Sequence, residues 1–143
     1  MEIRHITEAE LPQIPFLYKE LLHGKLLDDR LVAEMFRTIQ NNANYHIIVA
    51  MEKECCVGTA MGIVCYGLDG TFLVVENVVV REECRSAGVG QKLFDELDRI
   101  AVENNCAYSI LVSSDFRSGA HKFYEKMGYV DGVKGFRKLY EAE

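Results

Sequence analysis

The sequence predicts one domain, residues 1–143, of the α/β (α+β) class, with a mixed, largely antiparallel twisted sheet of about six to seven strands. The run from Thr71 to Val80 is almost entirely apolar and rich in β-branched residues, which is typical of a strand buried on both faces. A glycine loop, an amphipathic helix and a second apolar run, residues 108–113, follow it. These elements predict a β-α-β core with parallel strands and a right-handed crossover, flanked by further helices.

The residues before this core predict a strand, two helices and a hairpin. In order, these are a strand in residues 1–7, helices in 8–24 and 28–42, and hairpin strands in 46–51 and 57–66. Thr7 and Asp28 are of the types that cap helix N-termini, and Gly24 is a plausible stop. Gly58 and Gly62 weaken the second hairpin strand, because glycine adds no side chain to the packing.

The residues after the central strand predict two helices and three strands. The first helix presents one apolar face and ends at Asn104-Asn105, before the strand of residues 108–113. A short helix spans Ser118 to Met127 and stops at Gly128. Tyr129-Val130 and Phe136 to Tyr140 then suggest two closing strands.

Composition excludes several classes of protein. Sixteen basic against 22 acidic residues give a net charge of −6, which disfavours nucleic acid and favours a cationic substrate. No apolar run approaches the ~18 residues of a membrane span, and the first residues lack the features of a signal peptide. The five cysteines include no C-x-x-C pair, so we expect no disulfide framework, no metal, and reduced thiols in a cytoplasmic protein.

The loop Arg85 to Gly90 lies between the central strand and the following helix. Such a loop presents backbone N–H groups to an anion at the positive end of the helix dipole. A dinucleotide-binding fingerprint would need a small residue where Leu93 stands, and a P-loop would need Lys where Gln91 stands. The structural alternative is that the glycines make only a tight strand-to-helix turn.

Two motifs carry a resemblance to a known family. Arg85-x-x-Gly88-x-Gly90, after a strand ending in three valines, resembles motif A of the GNAT superfamily of acyl-CoA-dependent N-acyltransferases. Residues 120–129, AHKFYEKMGY, look like the family's helix ending in FYEKxGF. Both motifs stand in the family's order and spacing. The resemblance implies the GNAT fold and acetyl-CoA as cosubstrate, without a metal.

The resemblance also implies which residues bind the coenzyme. In the family, backbone amides of this loop hold the pyrophosphate, and the pantetheine arm pairs with the end of the preceding strand. The implied pyrophosphate positions are Arg85, Ser86, Ala87, Gly88, Val89 and Gly90, with Gln91 and Lys92 at the edge. The implied pantetheine positions are the main-chain groups of Val78, Val79 and Val80.

Two catalytic residues are expected. The resemblance makes Tyr124 the acid that protonates the leaving thiolate, and the alternative is a tyrosine whose ring packs on the sheet. Glu76 is the candidate base, because a carboxylate among Phe72, Val74, Val78 and Val80 on one strand face must be paired, desolvated or facing a cleft. The structural alternative is a glutamate paired with an arginine, or one that marks an edge where strands splay.

These observations lead to one main hypothesis and two alternatives. The main hypothesis is an N-acetyltransferase in which a primary amine of a small molecule attacks the thioester of acetyl-CoA directly. The alternatives are acetylation of a protein lysine or N-terminus, and a non-catalytic coenzyme A-binding regulatory module. We expect the acceptor pocket around residues 17–31 and the turn at residues 65–69, with neither nucleic acid nor membrane as a partner. Homodimers are frequent in the family, and the oligomeric state stays open.

Overall fold

The computed structural model describes residues 1–113 and 118–141, and it contains two compact units, residues 1–111 and 112–143. The strands of the first unit are β1 (Glu2–His5), β2 (Tyr45–Glu52), β3 (Cys55–Gly67), β4 (Gly70–Val80) and β5 (Ser109–Leu111). Its helices are α1 (Ile14–Tyr18), α2 (Asp29–Ile39) and α3 (Val89–Glu103), with 3₁₀ helices at Glu8–Gln13 and Glu82–Cys84. The second unit contains α4 (Ser118–Lys126).

The sheet follows the order of the chain, β1-β2-β3-β4-β5. The first four strands pair antiparallel, and β5 pairs parallel to β4 after the crossover through α3. The predicted mixed sheet with a parallel β-α-β core is therefore confirmed. No helix in the described part of the chain is both long and apolar enough to cross a membrane.

Helices cover the two faces of the sheet. On one face Ile14 and Leu17 of α1 pack with Val79 in a buried cluster that also contains residues of β2 and β3. On the other face α3 lies so close that a β-carbon on Gly62 would come within 2.9 Å of Leu97. Gly58 and Gly62 have a low propensity for strands, and they are the positions where helix α3 approaches β3.

The predicted helix starts are confirmed at two caps. Thr7 forms a capping box with Glu10, whose carboxylate also binds Arg4. The side chain of Asp28 accepts a hydrogen bond from the N–H of Arg30 at 2.8 Å. The first helix is shorter than predicted, since the chain forms a 3₁₀ helix containing Pro12 before α1 and leaves α1 at Tyr18.

The two predicted closing strands are wrong. Among the described residues the sheet has five strands rather than six to seven, and residues 127–141 contain no strand. The N–H of Tyr129 donates to the carbonyl of Tyr124, and that of Gly128 to the carbonyl of Glu125, which forms a Schellman cap after α4. The N–H of Val130 bonds to Gly128, so local bonds use both donors of the first predicted strand. Residues 136–140 are exposed and bury neither face.

Candidate active site

A β-bulge at Asn77 divides β4 into two parts. Glu76 pairs with Met61 and Val79 pairs with Thr59, so two residues of β4 oppose one residue of β3. Asn77 has φ +54°, in the left-handed region that asparagine adopts more readily than most residues. The bulge interrupts the strict alternation of side chains along the strand.

The bulge changes which residues share a face with Glu76. Paired residues of neighbouring strands lie on the same face, so Val79, opposite Thr59, lies on the α1 side together with Glu76. Val80 pairs with Gly58, which faces α3, and Val78 lies on that same α3 side. The expectation that Glu76 shares a face with Val78 and Val80 is therefore wrong.

Beyond the bulge, one edge of β4 has no partner strand among the described residues, and we call it the open edge. The ladder to β5 pairs residues 73–75 of β4 with 109–111, and no described strand pairs with residues 76–80 on that side. The N–H of Arg81 donates to the carbonyl of Val57 in β3 at 2.9 Å. By alternation, the N–H groups of Val78 and Val80 point away from β3, towards the open edge. Two of the three predicted pantetheine positions thus present donors there.

The loop before α3 has a left-handed backbone at two positions. Ser86 has φ +75° and Gly88, the N-cap of α3, has φ +83° with no side-chain cap. The first helical bond runs from the N–H of Lys92 to the carbonyl of Gly88 at 3.2 Å. The N–H groups of residues 89–91 precede that bond and have no acceptor within the helix. A β-carbon at Gly88 would meet no atom of the described residues within 4 Å.

This loop therefore fits the anion that its motif implies. Its donors lie at the positive end of a 15-residue helix, and the described residues leave space beside the backbone at Gly88. Burial of one face of α3, including Val89, Leu93 and Leu97, fixes the helix on the sheet. The described residues contain no group of three or more side chains suited to a metal ion.

A cleft of about 200 Å³ lies next to this end of β4. Its lining residues are Phe16, Leu17, Glu20, Val79, Val80, Arg81, Glu82 and Glu83. Leu17 and Glu20 belong to the N-terminal region where we expected the acceptor pocket, whereas no residue of the turn at 65–69 lines this cleft.

Two arginines flank the cleft and are differently engaged. The Nε of Arg81 donates to the carbonyl of Cys56 at 2.9 Å. Arg85 forms an ion pair with Glu20, which lies in the turn after α1.

Burial raises the pKa of the Cys56 thiol to about 11, so this thiol stays protonated and is not a nucleophile.

Glu76 has an exposed side chain on the α1 side of the sheet. Across residues 1–113 and 118–141, its carboxylate forms no ion pair. The alternative of a glutamate paired with an arginine therefore finds no support among the described residues. The other alternative, a glutamate that marks an opening edge, agrees with its place directly before the bulge. The role of base stays a prediction.

Tyr124 lies in the second unit, in α4, as predicted. Its side chain is half-buried, its ring meets that of Phe123 edge-on with centroids 6.1 Å apart, and its carbonyl accepts bonds from Met127 and Tyr129. These contacts fix the end of α4 around this residue. The role of acid stays a prediction.

Two features of the site were not predicted from the sequence. Asn77 was the single turn-type residue within an apolar strand, and that was the only signal for the bulge. The Glu20–Arg85 pair joins positions far apart in the chain, and no sequence pattern indicated it.

Comparison with known proteins identifies the family. A family model described as the acetyltransferase (GNAT) family matches residues 7–129. A thialysine N-epsilon-acetyltransferase of Bos taurus is 25% identical over 142 residues, and the match covers 90% of this chain and 84% of that protein. A solved structure of an Agrobacterium tumefaciens C58 protein, assigned as an acetyltransferase, has a TM-score of 0.88 at 25% identity, covering 97% of this chain and 99% of that one.

The fold is also shared with a protein of a different description. A transcriptional regulator from Bacillus halodurans C-125 has a TM-score of 0.88 at 22% identity, covering 97% of this chain and 99% of that chain. The family model and the strand, glycine loop and helix of the first motif agree on one conclusion. The chain belongs to the acetyltransferase (GNAT) family, whose members generally use acetyl-CoA as cosubstrate.

Proposed function

We propose that this protein transfers the acetyl group of acetyl-CoA to a primary amine of a small molecule. The observation that carries the proposal is the open edge of β4, followed within one compact unit by the glycine loop of α3. Both present backbone N–H groups that have no partner strand or helical acceptor. A ligand with an extended amide chain and a pyrophosphate could accept hydrogen bonds from both sets of N–H groups. Acetyl-CoA, when bound, supplies a thioester carbonyl for attack by the amine.

The loop residues would surround the pyrophosphate. These are Arg85, Ser86, Ala87, Gly88, Val89 and Gly90, with Gln91 and Lys92 at the edge. The backbone N–H groups of Arg85 and Ala87 already donate to the carbonyls of Glu82 and Cys84, so the other loop amides would bind the pyrophosphate directly. Main-chain groups of Val78, Val79 and Val80 would align the pantetheine arm. A free N–H at this edge would also stabilise the negative charge that develops on the carbonyl oxygen during attack.

Two side chains would move the protons. An alkylamine is mostly protonated at pH 7 and must lose a proton before it attacks. Glu76, with its exposed carboxylate next to the open edge, would accept that proton through a water molecule. The C–N bond then forms, the C–S bond breaks, and the hydroxyl of Tyr124 would protonate the departing thiolate. The second proton, which the nitrogen loses as the amide forms, would restore the Tyr124 hydroxyl through solvent.

The acceptor would be a small cationic amine. The cleft beside β4 combines apolar Phe16 and Leu17 with carboxylates at Glu20, Glu82 and Glu83. That lining suits an ammonium group on an alkyl chain, and the relatives named for thialysine act on such an amine. We propose no nucleic acid or membrane partner, and the net charge of −6 supports this part.

Calorimetric titration with acetyl-CoA tests the binding step. We expect micromolar binding by the parent protein and none by Gly88→Trp, whose indole would occupy the space beside the loop at Gly88. Gly24→Trp is the matched control, because Gly24 has a similar left-handed φ, +88° against +83°, and a β-carbon there also meets no described atom within 4 Å. Absence of binding to the parent would overturn the proposal.

Release of free thiol tests the transfer step. A panel of thialysine, alkyl diamines and a lysine-containing peptide is offered with acetyl-CoA, and we expect stimulation by the small amines. Stimulation by the peptide alone would favour a protein acceptor. Binding of acetyl-CoA without stimulation by any amine would favour a coenzyme-binding regulatory module, a role compatible with the fold of the Bacillus halodurans protein.

A further inference from the structure

The ion pair between Glu20 and Arg85 connects the cleft to the glycine loop. Arg85 begins the loop motif, three residues before Gly88, and Glu20 lines the cleft beside β4. Both side chains are about one-third exposed, at 34% for Arg85 and 38% for Glu20. Among the described residues that line the cleft, the only cation is Arg81, whose Nε donates to a backbone carbonyl of β3.

We propose that Glu20 recognises the acceptor's ammonium group and that Arg85 holds this carboxylate until the coenzyme's phosphates draw the guanidinium away. This inference rests on the proposed function, and it adds an order of events. The empty protein has Glu20 neutralised by Arg85. The coenzyme-loaded protein has a free carboxylate in the cleft.

The transfer of the Arg85 guanidinium from Glu20 to the coenzyme's phosphates is electrostatically favourable. A guanidinium forms paired, charge-assisted hydrogen bonds with phosphate oxygens, and a pyrophosphate carries more negative charge than one carboxylate. An exposed ion pair shifts an equilibrium only a few-fold, so the coenzyme can break it. Glu20 then lies in a cleft with Glu82 and Glu83 and without its former cation, which favours a cationic ligand.

The coupling has to be reciprocal. If bound coenzyme frees Glu20 for the amine, a bound amine must raise the affinity for the coenzyme by the same factor. In the absence of amine, Glu20 competes with the coenzyme for Arg85. Removal of the Glu20 charge should therefore strengthen coenzyme binding and weaken amine binding, which are opposite effects of one substitution.

The test is a double-mutant cycle read by calorimetric titration with coenzyme A and no amine. We expect Glu20→Gln to lower the Kd about threefold, Arg85→Gln to raise it, and Glu20→Gln to have no effect in the Arg85→Gln background. Glu34→Gln, the same charge change at an exposed position of α2, is the control and should match the parent. An unchanged Kd for Glu20→Gln, or equal tightening in both backgrounds, would overturn the proposal.

Kinetics with thialysine supply the second readout. We expect Glu20→Gln to raise the KM for the amine several-fold with little change in kcat, because the carboxylate binds the amine and does not transfer its proton. If the parent binds coenzyme A and acetylates amines while Glu20→Gln behaves like Glu34→Gln, this inference fails and the proposed function survives. If the parent does not bind coenzyme A, both fail.

Discussion

Gly58 in β3 lies directly against Val89, the first residue of α3. A β-carbon on Gly58 would come within 2.9 Å of Val89 Cγ1 and 3.2 Å of the Val79 carbonyl oxygen. The absence of a side chain at this position lets the start of α3, and the loop before it, approach the bulged part of β4.

Gly58→Ala should therefore impair both stability and coenzyme binding. The backbone oxygen of Val79 cannot swing away, so we expect a loss of about 1–3 kcal/mol in the free energy of unfolding and weaker binding of acetyl-CoA. Gly62→Ala is the control, because its new β-carbon would meet mainly the flexible ends of Leu97 and Leu73. Denaturant unfolding and calorimetry measure the two effects, and equal coenzyme affinity in both variants would contradict the account.

Glu76→Gln should remove one limb of the pH–rate profile. If the carboxylate accepts the amine's proton, kcat/KM falls at acidic pH, and the amide, which cannot accept a proton, cannot show this dependence. The measurement is amine-dependent thiol release across the pH range, with Glu34→Gln as the control. Persistence of the acidic limb in Glu76→Gln would remove this residue from the mechanism.

Tyr124→Phe should lower turnover at least about tenfold and leave acetyl-CoA binding intact, because only the acid that protonates the thiolate is lost. Tyr140→Phe, in the same unit and highly exposed, is the matched control. Steady-state rates and calorimetry on both variants check this prediction. Unchanged turnover in Tyr124→Phe would leave the ring with a packing role alone.

Glu10→Gln should lower the free energy of unfolding by roughly 2 kcal/mol at pH 7. Hydrogen bonds from Arg4 at 2.8 and 3.0 Å, with a further bond from the N–H of Thr7, lower the pKa of Glu10 to about 2. A carboxyl with a depressed pKa contributes its full stability above its unfolded value, near 4.5, and loses it as pH falls towards 2. Urea unfolding should thus give parent and variant curves that converge between pH 5 and pH 2. A difference that is independent of pH would contradict this assignment.

The local parts of the fold and site could be predicted from the sequence, and the long-range parts could not. The β-branched run of β4, the glycine loop and the apolar face of α3 each leave a pattern within a few residues. The bulge at Asn77 depends on the register between β3 and β4, which one strand's sequence does not contain. The first predicted closing strand failed because local bonds use the N–H groups of Tyr129 and Val130 that a ladder would need, and the second failed because residues 136–140 stay exposed.

The order of the strands bears on how the chain reaches this fold. Turns of a few residues join β2 to β3 and β3 to β4, whereas helical segments separate β1 from β2 and β4 from β5. Closing a short loop costs less entropy than closing a long one. The meander of β2, β3 and β4 should therefore form before the edge strands β1 and β5 in the folding transition state. Pulsed hydrogen exchange during refolding should find amides of β2–β4 protected first. Protection of β1 before β3 would contradict that order. Since the coenzyme loop rests on α3, whose first turn packs against β3, it can be organised only after this meander exists.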